Sequence, residues 1–207
     1  MRSYSILRNE QYKQISKLTI NGSILDIGGS IKSGYHELIK GDHKILTSNI
    51  DDKYGCDIVF DVEKTFPIQD NTYDAILAIN LLEHIFEYNN VYSEVFRTLK
   101  PGGFFIQTTP YMHHIHGSPD DYHRYTDSFY KRVAAKYGFE IQTLDSIGFG
   151  LFSLIYQCIG GIIPSEFLKN IVRNTFVCLD KTLLHIPKYN KLKNIIPLGY
   201  FIIMKKK

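Results

Sequence analysis

Four of the chain's eight histidines fall in residues 110–126, PYMHHIHGSPDDYHRYT, beside Asp120, Asp121, Arg124 and three tyrosines. A neutral imidazole near pH 7 can take a proton from a hydroxyl, and a neighbouring Asp can orient the ring. Three readings are open to this loop. The His and Tyr side chains can simply satisfy loop backbone groups. His113, His114 and His116 can converge on a metal with Glu83 or His84. Or the loop can bind an acceptor and supply a base. His113 and His114 point apart on an extended chain, and no HExxH spacing exists, so no metal is expected. The third reading makes His84, His116, Asp121 and Arg124 the candidate catalytic residues.

A second set of residues suits a small polar ligand. Asp26-Ile27-Gly28-Gly29-Ser30 follows a short apolar run, and glycines there let backbone approach a ligand and turn sharply. The full GxGxxG fingerprint is absent, which counts against a dinucleotide. Asn49-Ile50-Asp51-Asp52 ends the next run, where a carboxylate can accept both hydroxyls of a ribose. Asp61-Val62 and Asn80-Leu81-Leu82-Glu83-His84 follow in the same kind of position.

These loops need strands and helices to hold them. Ser23–Ile27, Lys44–Ile50, Asp57–Val62, Tyr73–Ile79, Phe104–Thr109, Glu140–Leu144 and Tyr200–Met204 read as strands. Residues 31–40 and Tyr88–Leu99 read as helices, and Asp127 caps a third that runs through Tyr137 to Gly138. The alternation predicts an α/β chain with a three-layer, mostly parallel, Rossmann-like sheet whose ligands sit at the carboxyl ends of its strands.

In this order and spacing, LDIGGS, the D-V-E…FP…D-N-T-Y-D-A-I segment, N-L-L-E-H and R-T-L-K-P-G-G resemble the class I S-adenosylmethionine-dependent methyltransferases over about residues 23–146. The resemblance implies a methyltransferase sheet with an antiparallel last strand, and S-adenosyl-L-methionine as cofactor. It implies that Gly28, Gly29 and Ser30 pass beneath the methionine part and that Asp26 orients the loop and the ammonium. Asp51 would hold the ribose, although Asn49 also fits that position; Asp61 and Val62 would hold the adenine, and Asn80 and Leu81 the methionine side. The first loop departs from the family in lacking a further glycine. PDDYHRYT resembles a segment of methyltransferases found among bacterial surface-polysaccharide enzymes, which implies transfer to an oxygen of a small acceptor such as a sugar; the apolar, basic region before the last strand suits a lipid-linked one. A quinone-like lipid acceptor, or a non-catalytic cofactor-binding module, is the alternative.

The 207 residues, 44% hydrophobic and 22% charged, exclude a disordered or collagen-like chain. Cys56, Cys158 and Cys178 are widely spaced and odd in number, which points to a reducing, cytoplasmic setting. The polar stretch from Met1 to Leu18 lacks the apolar core of a secretory signal. The net charge of +3 divides unevenly. Residues 1–145 hold 15 basic and 19 acidic side chains, which speaks against nucleic acid; residues 146–207 hold nine and two. Within one domain, residues 147–198 read as an apolar, basic helical insertion before the last strand. Ile147–Pro164 carries no charge but four glycines, so a roof over the active site is expected in place of a membrane span. Leu168 to Leu183 forms an amphipathic helix with Leu168, Ile171, Val172, Phe176, Leu179 and Leu183 on one stripe. Packing on its own domain, peripheral membrane contact through residues 147–184 at the inner face, and a homodimer contact are its three uses.

Overall fold

The computed structural model describes residues 5–117 and 120–207, so Met1 to Tyr4 of the polar N-terminal stretch and Ser118-Pro119 of the histidine-rich loop lie outside the described residues. Seven strands form one sheet: β1 (Gly22–Ile27), β2 (His43–Asn49), β3 (Ile58–Val59), β4 (Tyr73–Ile79), β5 (Leu99–Pro110), β6 (Phe139–Ile147) and β7 (Gly199–Lys206). Their order is β3-β2-β1-β4-β5-β7-β6. Neighbours among the first five run parallel, and β7 is antiparallel to both β5 and β6. The chain builds outward from β1 through β2 to β3, then crosses back to start β4 beside β1. The order therefore reverses between β1 and β4, where the loops after both strands part and leave a crevice.

Side chains alternate across the sheet and divide the core in two. Leu25 and Ile27 of β1, Ile76 and Ala78 of β4, and Phe105 of β5 face one layer. That layer is made by α2 (Tyr88–Thr98) and α3 (Asp127–Tyr137), through Val91, Tyr92, Val95, Tyr130 and Val133. Ile24, Ala75, Leu77 and Ile106 face the other. There α1 (Ile6–Ile15), absent from the sequence reading, packs Ile6, Leu7 and Ile15. Helix α3 ends at Gly138 as expected (φ +83°), but its cap is Thr126, whose Oγ1 accepts the Phe129 N–H at 3.4 Å; Asp127 is its first residue.

Residues 31–40 form no α-helix; only His36–Leu38 makes a 3-10 turn. Tyr35 and His36 both reach the same buried oxygen, Asp26 Oδ2, at 2.7 Å each. Adjacent residues of an α-helix point to different faces, so that shared target excludes the regular helix. Tyr35 and Ile39 still join the core, and α1 with the later helices covers this face instead.

Between β6 and β7 the chain forms α4 (Leu151–Ile159), α5 (Glu166–Leu183), α6 (Pro187–Asn190) and α7 (Leu192–Ile195). Among the described residues no helix is long and apolar enough to cross a membrane. Helix α5 presents Val172, Phe176 and Val177 to the core, while Leu168, Ile171 and Leu179 of the same predicted stripe are exposed. Its one fully buried residue is Asp180. That carboxylate accepts the N–H groups of Phe152 (3.0 Å) and Ser153 (2.6 Å) and the hydroxyls of Ser153 and Tyr189. It caps α4 with a charge at the positive end of the helix, from a residue 27 positions away. Asp180→Ala strands those donors and should cost about 2–4 kcal/mol, a melting temperature lower by roughly 5–10 °C. Thermal denaturation followed by circular dichroism measures it; an unchanged midpoint removes Asp180 as the pin of this region.

Candidate active site

At the carboxyl end of β1, Asp26 is fully buried. Its Oδ2 takes both donors described above, and its Oδ1 has no hydrogen-bond partner. Burial raises the Asp26 carboxyl above its usual range, and the hydrogen bonds from His36 and Tyr35 oppose that rise. The next turn is fitted around this group. Gly28 adopts φ +75°, and a Cβ there would lie 2.6 Å from Leu81 Cδ1. A Cβ on Gly29 would sit 2.0 Å from Asp26 Oδ2. The first glycine is required by conformation, the second by contact. Asn49, at the end of β2, donates its amide to the carbonyls of Gly28 (3.2 Å) and Gly29 (3.1 Å), and its Oδ1 accepts the Ile50 N–H at 2.9 Å.

Gly28 and Asn49 open on a cleft of about 290 Å³ lined also by Ile50, Tyr54, Phe60, Asp61, Val62, Leu81, His84, Ile85 and Tyr122. Asp61 accepts the Glu63 N–H at 2.9 Å, which turns the chain under the cleft. Asp51 is not among the lining residues. It caps the 3-10 turn Asp52–Tyr54 and pairs with Lys53 Nζ at 2.9 Å, while Asn49, the alternative at this strand end, lines the cleft. Asp26, Gly29, Ser30 and Asn80 are likewise not among the lining residues, and the Ser30 hydroxyl accepts the Lys32 N–H at 3.2 Å.

Asn80 follows β4 with φ +53°. Asn tolerates that left-handed conformation better than most residues. Its amide is clamped to Gln11 of α1 by a reciprocal pair at 2.7 and 3.0 Å, so the N-terminal helix closes the end of β4. A 3-10 turn, Leu82–His84, comes next. The carbonyl of Glu83 accepts the N–H groups of Tyr122 (2.8 Å) and His123 (3.1 Å), docking the histidine-rich loop onto this turn.

The four predicted catalytic residues do come together. His84 and His116 meet edge to face with ring centroids 5.1 Å apart. His84 Nδ1 donates to the carbonyl of Asp120 at 2.5 Å. His116 Nδ1 lies 3.4 Å from Asp121 Oδ2, and its backbone N–H donates to that oxygen at 2.9 Å. Arg124 grips both oxygens of Asp121 and holds its carboxyl well below the usual carboxylate range. Beside them Glu83 is fully buried, and burial pushes its carboxyl up to about 8.

Tyr35, His36, Gln11 and the bracing Asn49 leave no local signal, because they act through contacts long in sequence or hidden in a loop. The expected roof, Ile147–Pro164, lines neither this cleft nor the small cavity beside Glu83.

The fold is shared with solved S-adenosylmethionine-dependent methyltransferases. Residues 42–107, from β2 into β5, match the methyltransferase domain family. The phosphoethanolamine N-methyltransferase 2 of Haemonchus contortus, solved with phosphomonomethylethanolamine and S-adenosylhomocysteine, superposes with a TM-score of 0.60 at 17% identity, covering 95% of this chain and 52% of that one. An S-adenosylmethionine-dependent methyltransferase from Mesorhizobium loti superposes with a TM-score of 0.54 at 15% identity, over 89% and 90% of the two chains. At such identities the likeness is one of fold. A sterol 24-C-methyltransferase of Schizosaccharomyces pombe is 49% identical over 39 residues, and a squalene methyltransferase of Botryococcus braunii 51% over 39; each stretch is 19% of this chain and 10% of the relative. The chain thus matches only a small part of these curated relatives and spans about half of the nematode enzyme.

S-adenosylmethionine fits the residues present. Its ammonium suits the unpartnered Asp26 oxygen, and the absence of a phosphate suits a turn that lacks a phosphate cradle. Gly29→Ala must displace Asp26 and should weaken S-adenosylhomocysteine binding by at least about tenfold. Calorimetric titration checks this, and wild-type affinity in the variant would show that Asp26 and Gly29 do not shape the site.

Proposed function

We propose that the chain transfers a methyl group from S-adenosylmethionine to an oxygen of a small or lipid-linked acceptor. The observation that carries this reading is the adjacency of two sites. The cleft lined by Gly28, Asp61 and Leu81 shares His84 with the His84–His116–Asp121–Arg124 cluster. Bound S-adenosylmethionine supplies an electrophilic methyl on a sulfonium, and displacement in line with the leaving sulfur demands mainly that the acceptor be held in position.

In the proposed division of labour, Asp26, Gly28 and Gly29 hold the methionine end, Asn49 faces the ribose, and Asp61 with Val62 faces the adenine. Phe60, Leu81 and Ile85 give the cleft apolar walls. The cluster acts on the other reactant. A hydroxyl must lose its proton as the new C–O bond forms, and a histidine with an oriented ring is suited to receive it. His116 is that group, set by Asp121, which Arg124 holds in place. His84 positions the acceptor at the junction of the two sites.

A membrane-bound acceptor, at the cytoplasmic face, is supported by the helical region before β7. Ile162 is 81% and Phe167 73% exposed, with Leu168, Ile171 and Leu179 along the same helix and a strong basic excess around them. An apolar face ringed by cations suits an anionic lipid surface, where each cation near the lipid adds about 1 kcal/mol. Polysaccharide precursors carried on lipid are one acceptor of that kind.

His116→Ala should lower methyl transfer by about 10²–10⁴-fold while leaving cofactor affinity intact. Labelled-methyl transfer to fractionated lipids, glycans and soluble metabolites, run alongside a cofactor titration, reads both quantities; unchanged turnover removes His116 from the chemistry. Flotation with anionic liposomes should retain the wild-type chain at low salt and lose it on Phe167→Asp with Ile171→Asp. A wild-type chain that stays at the bottom of the gradient ends the membrane reading.

A further inference from the structure

Glu83 is an anomaly among the buried acids of this chain. Asp26 and Asp180 each receive two or more hydrogen bonds, and Glu94 is held by Arg97 and the Phe66 N–H. Glu83 is fully buried, yet neither carboxylate oxygen has a hydrogen-bond partner. A carboxylate left so is costly by several kcal/mol unless it takes up a proton or a cation joins it. It also faces space: a cavity of about 60 Å³ lies against Glu83, Arg8, Gln11, Asn80, His113 and His116.

What surrounds it is a set of nitrogen ligands. One ligand atom from each of Glu83, His84 and His116 lies within 4.8 Å of the others. His84 Nε2 is 3.8 Å from Glu83 Oε1, and the Nδ1 of the same ring donates to the Asp120 carbonyl. His116 has its Nδ1 3.3 Å from the His114 carbonyl and 3.4 Å from Asp121 Oδ2. A ring whose Nδ1–H is given to a carbonyl or carboxylate presents its Nε2 lone pair, which is how metal-binding imidazoles are held. Asp121 in turn is fixed by Arg124. The backing groups of a metal site are therefore already in place.

We propose that Glu83, His84 and His116 bind one divalent first-row transition-metal ion, of the zinc or manganese kind, with a coordination position left for the acceptor's oxygen. A carboxylate with two imidazoles is a donor set for such ions, and harder cations that prefer all-oxygen shells suit it less. Metal–ligand bonds of about 2.0–2.2 Å bring donor atoms to roughly 3.5 Å apart, so the ligands close by about 1 Å on binding. His116 can supply that movement, because it sits in an irregular stretch of loop on the surface. The role for the acceptor rests on the methyltransferase reading; the binding of the ion does not.

The test uses the full chain, stripped with chelator and titrated with Zn²⁺ by calorimetry and with Mn²⁺ by electron paramagnetic resonance. One ion per chain is expected, at micromolar affinity or better for Zn²⁺. Glu83→Gln and His116→Ala should each weaken it by at least about tenfold, and His114→Ala should not. Circular dichroism screens the variants for folding. If Glu83→Gln fails to fold, His116→Ala carries the test from its exposed loop. No stoichiometric binding of either ion, or binding untouched by His116→Ala, overturns the site. A parallel S-adenosylmethionine titration keeps the claims apart. Cofactor bound without metal overturns only the cation site, and metal bound without cofactor overturns only the methyltransferase reading.

Discussion

The structure turns on a carboxylate that cannot be moved. Asp26 sits at the end of the central strand β1 with no exposure, and three separate pieces of chain are arranged around it. Tyr35 and His36 converge on one oxygen and in doing so prevent the segment after β1 from forming a helix. Gly29 packs so close that no side chain fits, which fixes the turn. Asn49 then ties the carbonyls of that turn to the end of β2. The second Asp26 oxygen is left without a hydrogen-bond partner.

The second half of the site is organised by backbone. The Glu83 carbonyl receives two N–H groups from the histidine-rich loop, and Tyr125 donates to the Leu82 carbonyl at 3.2 Å. A short turn after β4 therefore sets where residues some forty positions later can lie. The same turn presents Leu81 to the cleft and Glu83 to the cavity on its other side. One turn thus touches both cavities, and that is why they share a wall.

The strands were legible because a buried parallel sheet writes itself as short apolar runs. Tyr73–Ile79 matches its expected bounds, and the others differ by a few residues at their ends. Asp26, the glycines, Asp61 and Leu81 were legible for the same reason, as residues that follow a strand. What failed depended on partners distant in sequence. Residues 31–40 have helical composition, but Asp26 recruits two of their neighbouring side chains. Asn49 and Asp51 were both open for the second strand end, and only the structure shows Asp51 spent on its own turn and on Lys53. Helix α1 has too little apolar periodicity to be read, because its buried set includes Gln11, held by Asn80.

The uneven charge acquires a physical outline here. The acidic part carries the sheet and the cleft, and the basic part is a helical region pinned by Asp180, with an apolar flank left uncovered. The central claim concerns the first part, that the crevice beside β1 takes S-adenosylmethionine and not a dinucleotide. Calorimetric titration of the full chain with S-adenosylmethionine and, separately, with NADH tests it most directly. The account predicts one S-adenosylmethionine bound per chain and no heat of binding from NADH. Saturable NADH binding with S-adenosylmethionine silent would contradict it.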